Sequence, residues 1–312
     1  MKPMLSVAHQ QTLEGHLIGF DIGGSKLLAC LTDRNGHVLR TERRQLSCQV
    51  QPDHLLDLIE DVIHVLTRGG IVVAGIGLGF PGLVDQDGIA LSSVILPRCG
   101  RLNLAGLLQE RLRLLCAVDN DVTNAARAEA SLRGGGDLSM LFVSVGTGIG
   151  GALVLHGRLW RGITNMAGEI GHVAVAQGGR RCLCGRRGCV GSLASGAAIE
   201  RQLGRPPCTL AKAMSTPSPV VSDAVDRACQ MLGGAIASAL NLLNLPLVTI
   251  GGGLSEIPGF VGSVAEAARR QAMPEIGAAC RFERARAGQT AGAVGAALLI
   301  RDQIETHSTA VI

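Results

Sequence analysis

Apolar residues along the chain form short runs and helically spaced stretches, and glycine-containing turns separate them. Strands are predicted over residues 17–21, 27–32 and 38–43, joined by the turns DIGGSK and DRNGH. Pro52 then begins a predicted helix, whose helically spaced apolar positions are Leu55, Leu58, Ile59, Val62, Ile63 and Leu66. The first part of the chain therefore begins with a three-stranded unit followed by a helix.

The same alternation continues with predicted strands over 71–79 and 115–118 and a helix over 104–112, and a further helix begins in DNDVTNAARAEA. The most apolar stretch, residues 231–254, is long enough to raise the question of a membrane span. It contains polar residues and ends in three glycines, so a buried helix followed by a buried strand explains it better. The pattern is typical of an α/β protein without a membrane partner.

Two segments of the chain share one order of elements. LIGFDIGGSKLLACLTDRNGHVL and LFVSVGTGIGGALVLHGRLWRG both predict a strand, a Gly-rich turn, a strand, a turn and a strand. The repeat favours two related α/β lobes, each presenting the backbone N–H groups of its Gly-rich turn to a cleft between them. Two unrelated hairpins with glycine at their turns would give the same pattern, so the repeat alone leaves both interpretations open.

Composition narrows the class of protein. The 312 residues are 47% hydrophobic but only 2% aromatic, and they include 43 glycines and no tyrosine. A single-strand nucleic-acid binder needs aromatic stacking platforms, which this composition does not supply. The net charge of +4 is spread along the chain, and its densest run brackets cysteines. That run favours the exterior of a metal loop over a DNA-binding surface, and no nucleic-acid partner is expected.

The termini and cysteines bear on the compartment. The first fourteen residues lack the apolar stretch of a signal peptide. Three of the ten cysteines fall within eight residues at metal-ligand spacing, and the other seven are scattered among apolar residues. We expect those seven to be ordinary core thiols and the compartment to be the reducing cytoplasm.

The strongest chemical signal is a cluster of metal-ligand residues in GHVAVAQGGRRCLCGRRGC. Three thiols and one imidazole form the closed tetrahedral set that zinc prefers in structural sites, here His172, Cys182, Cys184 and Cys189. Because protein groups fill all four positions, no place is left for a catalytic water. We expect a structural Zn²⁺ that holds the loop, with a free-thiol loop as the alternative.

Three Gly-rich turns follow predicted strands. Asp21 ends a strand before the first turn, which is a frequent way to place Mg²⁺ beside phosphates. SVGTGIGG and TIGGGLS form the other two, and the last follows a strand where a purine or ribose could approach the backbone. Each turn is weak evidence alone, but three of them indicate a nucleotide site.

The segment VDNDVTNAA places Asp119, Asn120 and Asp121 at a transition from strand to helix. Helix capping needs only one of these residues, so the extra polar groups suggest a cleft. An aspartate there can accept the proton of a substrate hydroxyl, while an adjacent asparagine holds neighbouring hydroxyls.

The order and spacing of these pieces resemble the ROK family (repressors, open reading frames and kinases) from Ile18 to about Leu299. The motifs DIGGSK, GFPG, NDVTNAA, GTGIGG, AGEIGH, CLCGRRGC, SLASG and IGGG carry the resemblance. It implies an actin-like ATPase fold of the ribonuclease H-like type, in which two α/β lobes close on sugar and ATP around an interlobe cleft. We expect residues 1–14 to be a tail, 15–122 with about 296–312 the first lobe, and 123–295 the second lobe with its zinc loop over 172–189.

The resemblance also implies roles for individual residues. Asp121 would be the general base, and Asp21 would organise Mg²⁺. ATP would be bound with the help of Gly23, Gly24, Lys26, Gly146, Thr147, Gly148, Gly252 and Gly253. The positions that match sugar contacts are Gly82, Asn103, Asn120, Asp121, Glu169 and His172. His172 can serve zinc with one ring nitrogen and a sugar hydroxyl with the other.

One position departs from the family pattern. ROK kinases usually have a glutamate two residues after the last cysteine ligand, where this chain has Gly191. By the resemblance, that glutamate accepts hydrogen bonds near the anomeric end of the sugar. Its loss costs about 1.5–3 kcal/mol, roughly 10- to 150-fold in binding, unless Ser192 or another group substitutes. Ser25 in place of the common threonine is a milder change.

Four functions remain in competition. An ATP-dependent kinase for the 6-hydroxyl of a hexose such as glucose is the first, acting as a homodimer or homotetramer. A kinase for a changed substrate, such as kanosamine or a cyclitol, is the alternative that Gly191 prompts, and a catalytically dead sensor is less favoured because Asp21 and Asp121 are present. A sugar-responsive repressor is not expected, because residues 1–15 are too short for a helix-turn-helix domain.

Overall fold

The computed structural model describes residues 15–206, 209–215 and 218–309. These form two compact units. The described residues of the first unit are 15–132, 162–166 and 289–309, and all others belong to the second unit.

The first unit is built on a five-stranded sheet in the order β3-β2-β1-β4-β7. β2 is antiparallel to β1 and β3, whereas β4 and β7 are parallel to β1 and to each other. A small sheet pairs β5 with β6. The strands are β1 (His16–Ile22), β2 (Lys26–Thr32), β3 (Val38–Gln45), β4 (Val73–Phe80), β5 (Leu83–Val84), β6 (Ala90–Ser92) and β7 (Leu115–Asn120).

The helices of this unit are α1 (Pro52–Leu66), α2 (Leu104–Leu112), α3 (Asp121–Leu132) and α10 (Ala291–Thr309). All eight residues of β4 are buried, as the apolar run predicts for a central parallel strand. Helix α10 lies directly on the sheet. A Cβ at Gly19 or Gly77 would come within 1.8 Å of a carbonyl oxygen of this helix, so glycine is required there.

The second unit repeats this design. Its sheet has the order β10-β9-β8-β11-β12, with β9 antiparallel to β8 and β10, and with β11 parallel to β8 and β12. The strands are β8 (Met140–Val145), β9 (Ile149–Leu155), β10 (Arg158–Trp160), β11 (Leu247–Gly251) and β12 (Arg281–Arg284). The helices are α4 (Val190–Ala194), α5 (Gly196–Gln202), α6 (Leu210–Ser215), α7 (Pro219–Leu243), α8 (Phe260–Gln271) and α9 (Pro274–Ala279).

The two sheets have the same strand order and the same directions. The repeat in the sequence therefore reflects two related α/β units rather than two unrelated hairpins. The division between them differs from the expected boundary at residue 122, which would cut α3 at its second residue. All of α3 belongs to the first unit, because it packs closely on α10 there.

Two further expectations can be compared with the structure. The apolar stretch 231–254 forms the second half of α7 and all of β11, as predicted. Of the helices in the described part of the chain, none has the length and hydropathy that a membrane span requires. The core-thiol expectation is confirmed where Cys30, Cys99, Cys116, Cys229 and Cys280 are buried. It is wrong for Cys48, which is exposed in the turn after β3, and Cys208 lies outside the described residues.

Candidate functional site

The polar groups of the first unit meet at the carboxyl ends of three neighbouring strands. Strand register places Asp21 of β1 beside Gly79 of β4, and Gly79 beside Asp119 of β7. A Cβ at Gly79 would lie 3.4 Å from the Asp121 Cα. The strand ends therefore bring the residues before the first Gly-rich turn and at the start of α3 to the same edge of the sheet.

Asp21 lies in a tight, desolvated environment. A Cβ at Gly292, near the start of α10, would come within 2.7–3.0 Å of the Asp21 carboxyl atoms. Burial raises the pKa of Asp21 to about 6, and the positive charge of Lys26 opposes that shift. A carboxyl group that is costly to ionise in the free protein gains most from a bound cation, which fits the expected Mg²⁺ ligand.

The turn after Asp21 brings Lys26 back beside the start of the hairpin. Gly23 donates its N–H to the Lys26 carbonyl at 2.9 Å. Gly24 packs so closely on Ile95 that a Cβ would lie 2.7 Å from that side chain. Lys26 itself is exposed. The turn thus offers one cationic side chain next to the Asp21 carboxylate.

Asn120 does cap the helix that follows it, as the simpler hypothesis for this segment requires. Its Oδ1 accepts the Thr123 N–H at 2.9 Å, and its Nδ2 donates to the Gly82 carbonyl at 3.0 Å. The Asp121 carboxylate accepts the Val122 N–H at 2.9 Å. Because Asn120 provides the cap, Asp121 is not needed for that purpose.

A buried polar network lies behind this junction. Asp119 is 2% exposed, and its Oδ2 lies 3.5 Å from Arg127 Nη1. Arg127 also donates to Asn124 Oδ1 at 2.9 Å and lies 3.4 Å from the Asp302 carboxylate of α10. These groups fasten α3 to β7 and α10. Sequence reasoning noted Asp119 at the end of its strand but missed the other three. The only signal was the unusual density of polar residues in NDVTNAARAEA.

Gly82 and Asn103 lie elsewhere in the same unit. A Cβ at Gly82 would lie 2.2 Å from the Ser92 carbonyl oxygen, so the fold itself requires glycine there. Asn103 is exposed and caps α2 by accepting the Gly106 N–H at 2.8 Å. Gly82 is joined to the β7–α3 junction through the hydrogen bond from Asn120.

In the second unit, two Gly-rich turns lie together. β8 and β11 are parallel neighbours, and a Cβ at Gly146 would lie 3.9 Å from the Gly253 nitrogen. The carbonyl groups of Gly146 and Thr147 accept the N–H groups of Gly196 and Ala197 at 2.8 and 3.4 Å. The start of α5 therefore fastens the first of these turns, a role of the SLASG motif that sequence reasoning did not assign.

The glycines of these turns fall into two groups. Gly252 has φ 80° and ψ 169°, a conformation essentially restricted to glycine, so the backbone explains its identity. Gly148 and Gly253 have no such φ, and a Cβ at either position would meet nothing within 4 Å. The fold does not require glycine at these two positions. Their lack of a side chain keeps the backbone open to a ligand.

The metal-ligand residues are brought together as the sequence predicts. One ligand atom from each of His172, Cys182, Cys184 and Cys189 lies within 4.8 Å of all the others. His172 Nδ1 is 3.5 Å from Cys182 Sγ, and the sulfurs of Cys184 and Cys189 are 3.6 Å apart. Tetrahedral zinc bonds imply edges of roughly 3.5–3.8 Å between such ligands, so the cluster fits a zinc ion.

Glu169 and His172 flank this cluster. His172 Nδ1 faces Cys182, while its Nε2 lies 3.9 Å from a Glu169 carboxylate oxygen. Burial raises the pKa of Glu169, and His172 opposes that shift. A backbone hydrogen bond from Arg186 lowers the pKa of the Cys184 thiol to about 6, which favours the thiolate that a metal binds. The imidazole can thus serve the metal with one nitrogen and face Glu169 with the other.

Gly191 packs closely on the turn that contains His172. A Cβ at Gly191 would lie 2.9 Å from the Gly171 carbonyl oxygen, and a Cβ at Gly171 would lie 2.0 Å from the Ile149 carbonyl oxygen. Ser192 donates its hydroxyl to the Cys189 carbonyl at 2.8 Å. Helix α4 therefore lies nearer to this turn than a side chain at position 191 would allow. The Ser192 hydroxyl proton is already used in the hydrogen bond to Cys189.

Comparison with known proteins agrees with this architecture. The ROK family model matches residues 17–303. Over 92% of its length, the chain is 30% identical to a glucokinase of Halalkalibacterium halodurans and covers 95% of that protein. It is 32% identical to a kanosamine kinase of Amycolatopsis mediterranei over 79% of its own length and 84% of the relative's.

A solved structure shows the same fold. It is a ROK family glucokinase from Streptomyces griseus in complex with glucose and AMPPNP, matched with a TM-score of 0.80 and 26% identity over 91% of this chain and 99% of that one. The expected α/β fold of the actin-like ATPase class is thereby confirmed. The chain belongs to the ROK family, as its motifs indicated.

Proposed function

We propose that the protein is an ATP-dependent kinase that transfers the γ-phosphate to a hydroxyl, first of all the 6-hydroxyl, of a hexose or a modified or amino hexose. The observation that carries the proposal is the meeting of Asp21 and the Asp121 segment at one edge of the first sheet, beside Gly79. Family membership and the similarity to sugar kinases support the same activity.

In this proposal the two units contribute different groups. Asp21 would hold Mg²⁺, whose charge stabilises the transferring phosphoryl group, and Lys26 and the backbone of Gly23 and Gly24 would lie beside the phosphates. Asp121 would accept the proton of the attacking hydroxyl, with Asn120 holding α3 in place. From the second unit, the phosphates would be lined by Gly146, Thr147 and Gly148, and the adenosine by Gly252 and Gly253.

Sugar recognition would use Gly82, Asn103, Asn120, Asp121, Glu169 and His172. Because Asn120 already donates to Gly82 and caps α3, its remaining N–H is the part left for a sugar. The zinc cluster would fix the orientation of His172, so that Nε2 and Glu169 face one ligand. Assembly as a homodimer or homotetramer and a cytoplasmic location remain predictions.

The substrate is proposed to differ from glucose near the position of the missing glutamate. At Gly191 the chain has no carboxylate, and the Ser192 proton is directed to the Cys189 carbonyl. A hydroxyl at that end of the ring would lose water without gaining a charged acceptor. Kanosamine-like amino hexoses and cyclitols are therefore the alternative substrates, and the similarity to a kanosamine kinase supports including them.

A coupled ADP-release assay tests the activity and the substrate together. Glucose, mannose, their N-acetyl and amino forms, kanosamine and cyclitols would be compared by kcat/KM. We expect ADP release with at least one of them and a modified hexose or cyclitol about tenfold better than glucose. Binding of a sugar without ADP release from any of them would favour a sugar-responsive regulator or sensor and contradict the kinase.

The role of position 191 needs a matched pair of variants. Gly191→Glu adds the carboxylate but also a Cβ that must push α4 away from Gly171. Gly191→Ala adds only the Cβ, so it measures the steric cost alone. We expect Gly191→Glu to narrow the gap between glucose and the best substrate relative to Gly191→Ala. Equal selectivity in the two variants would show that the missing carboxylate does not set specificity.

A further inference from the structure

Five arginines crowd one part of the second unit. The cysteine hairpin contributes four of them and α5 contributes the fifth, and together they are named the arginine face: Arg180, Arg181, Arg186, Arg187 and Arg201. All five are exposed. Arg181 and Arg187 are bridge partners across the hairpin, and Leu183, which is 77% exposed, lies between them in the loop. An apolar side chain thus stands among cationic ones.

The positive charge of this face is not neutralised by neighbouring carboxylates. Among the residues that the structure describes, none of the five arginines forms an ion pair with an aspartate or glutamate. The carboxylate of Glu200, on the same helix as Arg201, instead accepts the N–H groups of Thr209 and Leu210 at 2.7 and 2.8 Å. The pKa of Arg201 is lowered by partial burial and by Arg180, so these two cations repel each other.

The cysteine ligands account for only part of this charge. Arg186 hydrogen bonds to Cys184, and three thiolates with Zn²⁺ and a neutral imidazole carry a net charge of about −1. That charge balances one guanidinium, so the other four remain in excess. Like charges crowded on a surface cost free energy unless an anion neutralises them.

The guanidinium groups are also held in place. Backbone carbonyls fix four of them: Arg187 donates to Gly179 at 2.7 Å, Arg186 to His172 at 3.0 Å, Arg181 to Gly185 at 3.3 Å and Arg201 to Ser192 at 3.4 Å. Exposed arginines normally lose considerable side-chain entropy when they bind a partner. Arginines that are already fixed lose less, and their remaining N–H groups suit carboxylates or phosphates.

We propose that the arginine face is a docking surface for an acidic segment of a partner protein, which places carboxylates on the guanidinium groups and an apolar side chain on Leu183. The exposed leucine favours a peptide over polyphosphate or nucleic acid, because neither the phosphate chain nor the nucleic-acid backbone offers an apolar group there. The low aromatic content of 2% also gives no stacking platform for bases. This proposal does not depend on the kinase activity.

Fluorescence anisotropy with a labelled peptide tests the surface. The probe is a twelve-residue peptide of three Glu-Glu-Glu-Leu repeats, titrated with the zinc-loaded full chain. We expect saturable binding at about 50 mM salt that weakens roughly tenfold by 300 mM, because the pairs are exposed to solvent. Arg181→Gln with Arg187→Gln should weaken it by about tenfold or more. Arg181→Lys with Arg187→Lys keeps the charge and should weaken it less.

Two further variants make the test specific. Leu183→Ser should weaken binding of the peptide a few-fold but leave binding of an all-Glu peptide unchanged. Arg158→Gln on β10 removes an exposed arginine outside the arginine face and should change the binding of neither peptide. The Leu183 side chain is mostly exposed, so Leu183→Ser should fold. It therefore remains informative even where Arg181→Gln with Arg187→Gln fails to fold.

Three results would overturn the proposal. The first is a wild-type chain that does not bind the probe. The second is equal affinity for the probe in the folded wild-type chain and in the folded Arg181→Gln/Arg187→Gln and Arg181→Lys/Arg187→Lys variants. The third is tighter binding of polyphosphate or single-stranded DNA than of the peptide, with no effect of Leu183→Ser. That last outcome would assign the arginine face to a polyanion.

Discussion

The two units have the same sheet topology but place different chemistry at the ends of their strands. In the first unit, the strands end in charged and amide groups, namely Asp21 on β1 and Asp119 and Asn120 on β7. In the second unit, the turns after β8 and β11 are rich in glycine. A Cβ at Gly148 or Gly253 would meet nothing within 4 Å, so a ligand can approach the backbone there. One framework therefore supplies charge in one copy and access to the backbone in the other.

In both units the fold sets the position of the strand ends, and the residues of the turn set their chemistry. In both units the carboxyl ends of parallel neighbours meet at one edge, because parallel strands point the same way. A carboxylate there can bind a cation or take a proton, whereas an open glycine lets a ligand approach backbone N–H groups. The comparison can be tested by changing the chemistry of each turn without changing the sheet.

The largest expected effect is that of Asp121→Asn in the first unit. The amide keeps the shape and can still accept the Val122 N–H, but it cannot take a proton. We expect kcat to fall by about 10²–10⁴-fold with a modest change in KM. Steady-state kinetics and a thermal unfolding curve of the same preparation check this. Retention of more than a tenth of the turnover would leave Asp121 a structural residue.

In the second unit, Gly253→Ala and Gly252→Ala should separate ligand access from folding. Gly253→Ala meets nothing in the protein, so unfolding should be unchanged while the added methyl weakens ATP binding. A steric conflict of about 1–3 kcal/mol corresponds to roughly 5- to 150-fold in affinity.

Gly252→Ala is the matched control, because its φ of 80° and the Val145 backbone at 2.5–2.7 Å make the alanine strained in the protein itself. It should lower the free energy of unfolding by about 1–3 kcal/mol or more. Calorimetric ATP binding and thermal unfolding of both variants provide the measurements. Unchanged ATP affinity in Gly253→Ala would contradict the proposed adenosine contact.

The protonation of Asp21 should make MgATP binding in the first unit depend on pH. With a pKa of about 6, Asp21 gains a proton below that pH and loses its capacity to bind a cation. Affinity for MgATP should therefore fall below about pH 6, towards tenfold per pH unit. In the Asp21→Asn variant, the pH dependence of MgATP affinity comes from protonation of the nucleotide alone. The difference between the two titration curves therefore gives the contribution of Asp21. Parallel curves would remove Asp21 from the metal site.

Asp21 should also make the free energy of unfolding depend on pH, in the direction opposite to that of MgATP affinity. The native pKa of about 6 lies above the ordinary value of 3.8, so the unfolded chain releases this proton first as pH rises. The contribution of Asp21 to the free energy of unfolding should decrease from about pH 4 to 6 and then stay constant. Chemical denaturation at several pH values, with Asp21→Asn as reference, checks the sign.

The smallest effect concerns the cysteine cluster, which only the second unit has among the described residues. Cys184→Ser should abolish stoichiometric zinc and lower the melting temperature by several degrees, since about 1 kcal/mol corresponds to roughly 2–4 °C in a chain of this size. Cys48→Ser, which changes an exposed cysteine outside the cluster, should do neither. Elemental analysis and calorimetry decide, and active protein without zinc would refute the structural ion.

Much of the local structure was predictable because its signals are local. The strands of both repeats, α1 with its Pro52 start, and the burial of 231–254 follow from apolar spacing and turn residues. The four metal-ligand residues were recognisable by type and spacing alone. Cys48 was misjudged, because its immediate neighbours Ser47 and Gln49 are polar and it lies in an exposed turn rather than in a buried element.

The site was only partly predictable, because its remaining parts depend on contacts between distant segments. Arg127 joins Asp119 to Asp302, 175 residues away from Arg127, and no local pattern marks that contact. Likewise, the residue type alone does not show whether a glycine is required by the fold or leaves room for a ligand. Gly252 and Gly253 are neighbours in sequence, yet only the first is in a conformation restricted to glycine.

The kinds of chemistry available could be predicted from the amino-acid sequence: carboxylates before a turn, glycines after strands, and thiols spaced for a metal. Short-range spacing and residue type are enough for those conclusions. Which of these groups meet depends on the folded chain, because strand register brings Asp21 and Asp119 to either side of Gly79. The close approach of Gly191 to Gly171, which leaves no room for a side chain, likewise depends on how α4 packs.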